Sequence, residues 1–179
     1  MQDRARHTSG NLVLTGFMGT GKTTVGRLLA SRLGFDFVDT DRLIERRHGP
    51  IPQIFSEHGE REFRRLERDA AAELAARDRL VISTGGRMML DPVNADLLSS
   101  SGDVFCLAAS VDTILGRVTG DESPVERPLL SGTDVRDRIE RLLAERAEAY
   151  ERFRQIDTEG RTPDEVADEI LELVLTGRD

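Results

Sequence analysis

The sequence predicts an α/β fold in three α/β/α layers, built around a mostly parallel sheet of five strands. Two observations favour this fold: short apolar runs alternate with segments of helical period, and most runs end in glycine or an acidic residue. Strands that alternate with helices form βαβ units, in which parallel strands are covered by helices on both faces. The length of 179 residues suits a single domain.

Five short segments are the expected strands, and helical patterns lie between them. The segments cover residues 12–15, 35–38, 80–83, 104–107 and, as a last short strand, 155–157. The longest helical patterns span about 60–77 and about 135–153, each with an apolar stripe. Parallel sheets bind ligands beyond the C-terminal ends of their strands. The loops at Gly16, Asp39 and Gly85 are therefore expected to converge on one site.

Composition excludes several classes of protein. The formal net charge is −8, which argues against broad nucleic-acid or membrane-surface binding. No segment approaches the roughly 18 apolar residues of a membrane span. The single cysteine, Cys106, lies in an apolar run and is expected to be buried; such a chain suits the reducing cytoplasm. We expect a cytoplasmic monomer, with residues 1–10 as a disordered lead and 11–176 as one domain.

A phosphate-binding loop follows the first strand. Residues 16–23 match the pattern G-x-x-x-x-G-K-[ST] without a gap, with an apolar strand before them and an amphipathic helix after. Glycines let backbone N–H groups face phosphate oxygens, and the helix N-terminus adds partial positive charge. We expect Lys22 to reach the β- and γ-phosphates. The expected nucleotide-binding residues of this loop are Gly19, Thr20, Gly21, Lys22, Thr23 and Thr24.

The lysine content favours ATP over GTP. Lys22 is the only lysine of the chain, so an Asn-Lys-x-Asp motif for guanine cannot occur. Its compact ammonium suits a phosphate cradle better than a wide guanidinium would. A D-x-x-G string does occur at Asp157–Gly160, but it comes too late to follow a switch strand and is expected to be a turn.

A magnesium site is expected where the loop hydroxyl meets a carboxylate. Thr23 supplies the hydroxyl, and Asp39 and Asp41 are the carboxylates at a strand end. Because they are two residues apart on a chain that leaves a strand, one can serve Mg²⁺ and the other an acceptor hydroxyl. The alternative for Asp41 is that it caps the helix that follows it.

Together these motifs resemble those of the shikimate kinases, over residues from about Asn11 to Val174. The phosphate-binding loop alone is weak evidence, whereas the combination is specific. The further matching motifs are Asp39-Thr-Asp41, Glu62-Phe-Arg64, Thr84-Gly-Gly86, Arg127-Pro-Leu-Leu130, and Arg146 four residues before Tyr150. The resemblance implies a P-loop kinase architecture like that of nucleoside monophosphate kinases, with a mobile lid at about 119–134.

The resemblance also implies a reaction and a role for each residue. The reaction is phosphorylation of the shikimate 3-hydroxyl by ATP with Mg²⁺, a step of chorismate and aromatic amino-acid biosynthesis. Thr23 and Asp39 would hold Mg²⁺, and Asp41 would bind ring hydroxyls and accept the 3-hydroxyl proton. The substrate carboxylate would bind Arg64 and Arg146. The remaining roles are substrate lining by Gly85 and Gly86, phosphate contact by Arg127, and adenine contact by Arg117 and the region of Pro163.

Two of these arginines also have simpler interpretations from the residues alone. Arg64 lies in a row of arginines interleaved with acids, which is typical of a solvated helix face. Arg146 alone would be interpreted as forming a surface ion pair with Glu145 or Glu148.

The glycines of the Thr84-Gly-Gly86 turn are expected to let backbone N–H groups approach the substrate.

The chain departs from the family pattern at three places. The stretch 119–126 is long and acidic, and Glu148 stands where the family usually has proline. Arg87 occupies the place of the family's third glycine, which would be strained if that position required a positive φ. Arg87 could point to solvent or pair with a carboxylate such as Asp91, could enlarge the anionic pocket for a related acceptor, or could disable acceptor binding. These alternatives leave open a kinase of another hydroxy-acid, such as gluconate, and a non-catalytic ATP-binding protein.

Overall fold

A computed structural model describes residues 10–120 and 134–176. They contain five strands, all parallel, in the order β2-β3-β1-β4-β5. The strands are β1 Asn11–Gly16, β2 Asp36–Asp39, β3 Leu80–Ser83, β4 Gly102–Ala108 and β5 Arg154–Asp157. The predicted α/β fold is confirmed, each predicted strand is present, and the sheet is parallel throughout.

Seven helices and one 3₁₀ turn complete the described ranges. The helices are α1 Lys22–Leu33, α2 Thr40–His48, α3 Ile51–Ala75, α4 Pro92–Ser101, α5 Val111–Thr119, α6 Val135–Glu151 and α7 Pro163–Thr176, and the turn is Met88–Leu90. Helix α3 breaks at Gly59, where φ is 80° and ψ is 172°, so its second part corresponds to the helix expected at about 60–77. None of the helices in the described ranges is long and apolar enough to cross a membrane.

The sheet buries apolar side chains on both faces because residues of β1 alternate in direction. Val13 packs with Ile82 and with helices α3 and α4, whereas Leu12 and Leu14 pack toward α1 and α7. A third apolar cluster lies beside the phosphate-binding loop and includes Phe17, Cys106, Ile114, Ile139 and Tyr150. Cys106 is buried as predicted, and burial raises the pKa of its thiol to about 11.

The buried side chain of Asn11 holds together the end of the sheet that lies opposite the phosphate-binding loop. The Asn11 amide donates to the carbonyls of Leu74 and Arg77, at 3.2 and 2.7 Å, and to the Ser101 hydroxyl at 3.3 Å. Its side-chain oxygen accepts the backbone N–H of Leu80 at 3.0 Å. One side chain therefore joins the start of β1, the end of α3, the start of β3 and the end of α4. Sequence reasoning missed this role.

Asn11→Ala should lower the free energy of unfolding by about 2–4 kcal/mol, because the Leu80 N–H and the Arg77 carbonyl lose their bonds to the Asn11 side chain. Urea denaturation would measure the loss. Ser101→Ala is the control, since it removes one long bond of the same network and should cost less than about 1 kcal/mol. Equal losses for both variants would contradict the central role of Asn11.

Candidate active site

The phosphate-binding loop turns sharply where β1 ends. Gly16 has a φ of +125°, and a side chain there would overlap the carbonyl of Leu107 on the neighbouring strand β4. Only glycine satisfies both constraints. The Thr20 hydroxyl donates to the Phe17 carbonyl at 2.8 Å, so this buried side chain braces the loop from within. Any contact of Thr20 with phosphate would therefore come from its backbone.

Lys22 lies under the loop at the start of α1. Its ammonium donates to the carbonyls of Gly16 and Phe17, at 2.8 and 2.9 Å. Burial lowers the pKa of Lys22 to about 8, and the nearby carboxylates of Asp41 and Asp39 partly oppose that shift. The ammonium is thus held by two neutral carbonyl acceptors, and by no carboxylate in direct contact within the described residues.

Asp39 links α1 to α2. One carboxylate oxygen accepts the Thr23 hydroxyl at 3.2 Å, and the other accepts the backbone N–H of Arg42 at 3.1 Å. Asp39 is therefore the N-cap of α2, and the interpretation of Asp41 as that cap is wrong. The described residues contain no group of three His, Cys, Asp or Glu side chains that could hold a metal. Two protein oxygens suit Mg²⁺, which keeps most of its waters and binds substrate phosphates.

Asp41 is the other carboxylate of this strand end, and it faces the turn after β3. Burial raises its pKa to about 6, with further contributions from Asp39 and Glu67, while Lys22 opposes the shift. A carboxyl with such a pKa can exchange a proton near neutral pH.

Gly85 is glycine for a reason that differs from the expected one. A methyl group there would overlap the Asp41 carboxylate, whose carbon atom would lie 3.1 Å away. The Gly85 N–H donates to the Thr40 hydroxyl at 2.9 Å. This N–H is therefore used inside the protein, and the expectation that it would approach the substrate is wrong. The missing side chain instead makes room for Asp41.

Arg146 and Tyr150 connect α6 to the same turn. The Arg146 guanidinium donates to the Gly86 carbonyl at 3.3 Å and lies 5.1 Å from the centre of the Phe17 ring. The Tyr150 hydroxyl donates to the same carbonyl at 2.6 Å. Arg146 is only 4% exposed, so its interpretation as a surface ion pair is wrong.

Arg64 lies on the part of α3 that follows the break at Gly59. It donates to Glu67 at 2.6 Å and to Glu60 at 3.1 Å, and its guanidinium stacks 5.2 Å from the centre of the Phe63 ring. Its side chain is 24% exposed, so the solvated-face interpretation does not hold. Glu60 and Glu67 were missed as partners, although the spacings i−4 and i+3 place both on the same helix face as Arg64.

Arg117 joins the phosphate-binding loop to the loop after β5. It donates to the Gly19 carbonyl at 3.2 Å and to the Thr158 hydroxyl and carbonyl at 3.1 and 3.0 Å. The string Asp157–Gly160 forms the expected turn, in which the Asp157 side chain accepts the backbone N–H of Glu159. Arg127 and most of the expected lid lie outside the described residues.

Arg87 shows no backbone strain. Its φ is −117°, so the strain that a positive φ would impose on an arginine does not arise. The side chain is 54% exposed, and its guanidinium lies 3.7 Å from Glu60 rather than beside Asp91. Asp91 instead pairs with Arg68 at 2.7 Å and caps α4.

Comparison with known proteins gives the family of the chain. The sequence profile described as shikimate kinase matches residues 18–175. The shikimate kinases of Thermodesulfovibrio yellowstonii and Thermus thermophilus are each 45% identical over 163 residues, covering 90% of this chain and 92% and 88% of theirs.

Solved structures give the same result. The shikimate kinase of Acinetobacter baumannii, solved in complex with shikimate, superposes with a TM-score of 0.88 at 37% identity, and 98% of each chain is covered. A gluconokinase of Sinorhizobium meliloti, at 20% identity and a TM-score of 0.63 over 96% of this chain and 94% of its own, shares the fold alone. On the profile, the identities and the coverage, the chain belongs to the shikimate kinase family.

Proposed function

We propose that this protein transfers the γ-phosphoryl group of ATP to the 3-hydroxyl of shikimate, giving ADP and shikimate 3-phosphate, a step of chorismate and aromatic amino-acid biosynthesis. The observation that carries the proposal is the placement of Asp41 between the phosphate-binding lysine and the turn at Gly85. Relatives named shikimate kinase, and the solved complex of one of them with shikimate, support this choice of acceptor.

The nucleotide side positions and neutralises the phosphates. Backbone N–H groups of the loop and the N-terminus of α1 would bind phosphate oxygens, and Lys22 would exchange its two carbonyl partners for them. Thr23 and Asp39 would hold Mg²⁺, directly or through water. When bound, the metal would neutralise negative charge on the phosphates of ATP.

The acceptor side would supply a general base and two arginines that bind the acceptor's carboxylate. Asp41 would accept the 3-hydroxyl proton as the hydroxyl oxygen bonds to the γ-phosphorus and the bond to the ADP oxygen breaks. Arg64 and Arg146 would bind the acceptor's carboxylate, since a guanidinium grips a carboxylate through two N–H groups. Gly86, whose carbonyl fixes Arg146 and Tyr150, would line the same pocket.

Several expectations remain predictions. The lid at about 119–134 would bring Arg127 onto the transferring phosphate and exclude water, which prevents wasteful hydrolysis of ATP. Arg117 and the region of Pro163 would flank adenine. We further propose that residues 11–176 act as one domain, in a cytoplasmic monomer.

A coupled ADP-release assay tests the function directly. Shikimate should stimulate ADP release, and Asp41→Asn should lower kcat by about 100-fold or more, which is the contribution of a general base. ATP binding should be retained, because the phosphate-binding loop is intact. If the protein binds ATP but shikimate does not stimulate ADP release, the proposal is contradicted. Gluconate serves as the control acceptor.

Gly85→Ala should lower kcat strongly with ATP binding retained, because the new methyl group displaces Asp41. Gly116→Ala is the control, since a methyl group on this glycine of α5 would meet nothing within 4 Å. Steady-state kinetics of both variants would separate the effects. A fully active Gly85→Ala would show that the position of Asp41 does not matter.

The pH profile of kcat/KM for ATP, at subsaturating shikimate, reports on the free enzyme. Activity should fall below pH about 6, where Asp41 becomes protonated and cannot accept a proton, and above about 8, where Lys22 loses its charge. Lys22→Arg should lower the maximal rate but abolish the alkaline limb, because a guanidinium stays charged. An alkaline limb that persists in Lys22→Arg would assign it to another group.

A further inference from the structure

The arginine proposed to bind the acceptor carboxylate is already engaged by two glutamates. Nε and Nη2 of Arg64 contact the same oxygen of Glu60, at 3.2 and 3.1 Å, and Nη1 contacts Glu67 at 2.6 Å. Nε and Nη2 form one of the edges through which a guanidinium grips a carboxylate with two parallel bonds. An incoming carboxylate that uses this edge must therefore replace Glu60.

The two glutamates differ in how easily they can move. The Glu67 side chain is 3% exposed, and removing it from Arg64 would leave a buried carboxylate without its ion pair. The Glu60 side chain is 56% exposed, so water can solvate it when it leaves. Glu60 also directly follows Gly59, where α3 breaks. Glu60 is thus the displaceable partner of Arg64 and Glu67 is the fixed one.

Arg87 offers Glu60 a second partner. Its Nη1 lies 3.7 Å from the same Glu60 oxygen that Arg64 holds, so this oxygen sits between two guanidinium groups. Arg87 comes from the turn after β3, whereas Arg64 comes from α3. A small rotation of the Glu60 side chain would exchange one guanidinium for the other.

We propose that Glu60 occupies the acceptor's place on Arg64 before the acceptor binds, and that Arg87 receives Glu60 when the acceptor's carboxylate arrives. The inference rests on the proposed function, which places that carboxylate on Arg64. The exchange leaves no charged group without a partner, because Arg64 passes from Glu60 to the acceptor while Glu60 keeps Arg87, which already lies 3.7 Å from it. Arg87 is then a positioning residue that favours anionic acceptors, since a neutral acceptor cannot replace Glu60.

The balance of charges around the proposed acceptor carboxylate shows what Arg87 contributes to acceptor binding. The acceptor side has the carboxylates of Asp41, Glu60 and Glu67, and the arginines Arg64, Arg146 and Arg87 balance them. Without Arg87, the displaced Glu60 would face the incoming carboxylate with no compensating cation. Repulsion between like charges would then weaken acceptor binding.

A double-mutant cycle between Glu60 and Arg87 tests the exchange. Arg87→Met should raise KM for shikimate about two- to fivefold, the range of an exposed ion pair, with kcat little changed. Glu60→Gln should lower that KM by a similar factor. In the Glu60→Gln background, Arg87→Met should have almost no effect, because no displaced carboxylate needs a partner.

Arg65→Met is the control for losing an exposed arginine. Arg65 is 56% exposed, close to the 54% of Arg87, but pairs with Glu62 and Asp69. The Arg65→Met substitution should leave KM for shikimate unchanged. An equal effect of Arg87→Met in both backgrounds would overturn the exchange and show direct attraction of the acceptor. A higher KM in Glu60→Gln would overturn it too, by showing that Glu60 holds Arg64 in place.

The same four proteins can be compared by their calorimetric Kd for shikimate, measured without nucleotide. This measurement separates the proposed function from the proposed exchange of Glu60. Binding that follows the cycle without turnover would overturn the proposed function and support the exchange. Turnover without coupling between the two residues would overturn the exchange alone. Neither binding nor turnover of shikimate would overturn both.

Discussion

The position of β1 between β3 and β4 is the constraint on which the rest of the site depends. Parallel pairing on both sides places the ends of three strands at one edge of the sheet, so the phosphate-binding loop and the turn after β3 leave the sheet together. β2 pairs with β3 and adds Asp39 at the same edge. Chain segments far apart in sequence therefore supply the lysine, the carboxylates and the glycine turn of one small site.

Within that site, charged groups are brought close together and partly removed from water. Burial lowers the pKa of Lys22 and raises that of Asp41, and each group partly opposes the shift of the other. Both pKa values consequently approach neutrality. Phosphoryl transfer needs neutralised phosphates and a base that can take a proton, and in the proposed function Lys22 and Asp41 would provide them.

The turn after β3 positions side chains of the proposed acceptor side because its two glycines have no side chains of their own. Gly85 admits the Asp41 carboxylate, and the carbonyl of Gly86 accepts bonds from Arg146 and Tyr150 of α6. Arg87 then extends from the turn toward Glu60 on α3. Three consecutive residues thus connect three different helices, and this short turn fixes where their side chains lie relative to one another.

The sequence by itself determined the α/β fold, the phosphate-binding loop and the family resemblance, because periodicity and contiguous motifs are local properties of a chain. Only the tertiary structure decided that Asp39 rather than Asp41 caps α2, that Arg146 is buried, and that Gly85 makes room for a carboxylate. Glu60 and Arg87 meet only because α3 packs beside the turn after β3. Such facts depend on which side chains share a space after packing, and spacing along a chain does not contain that information.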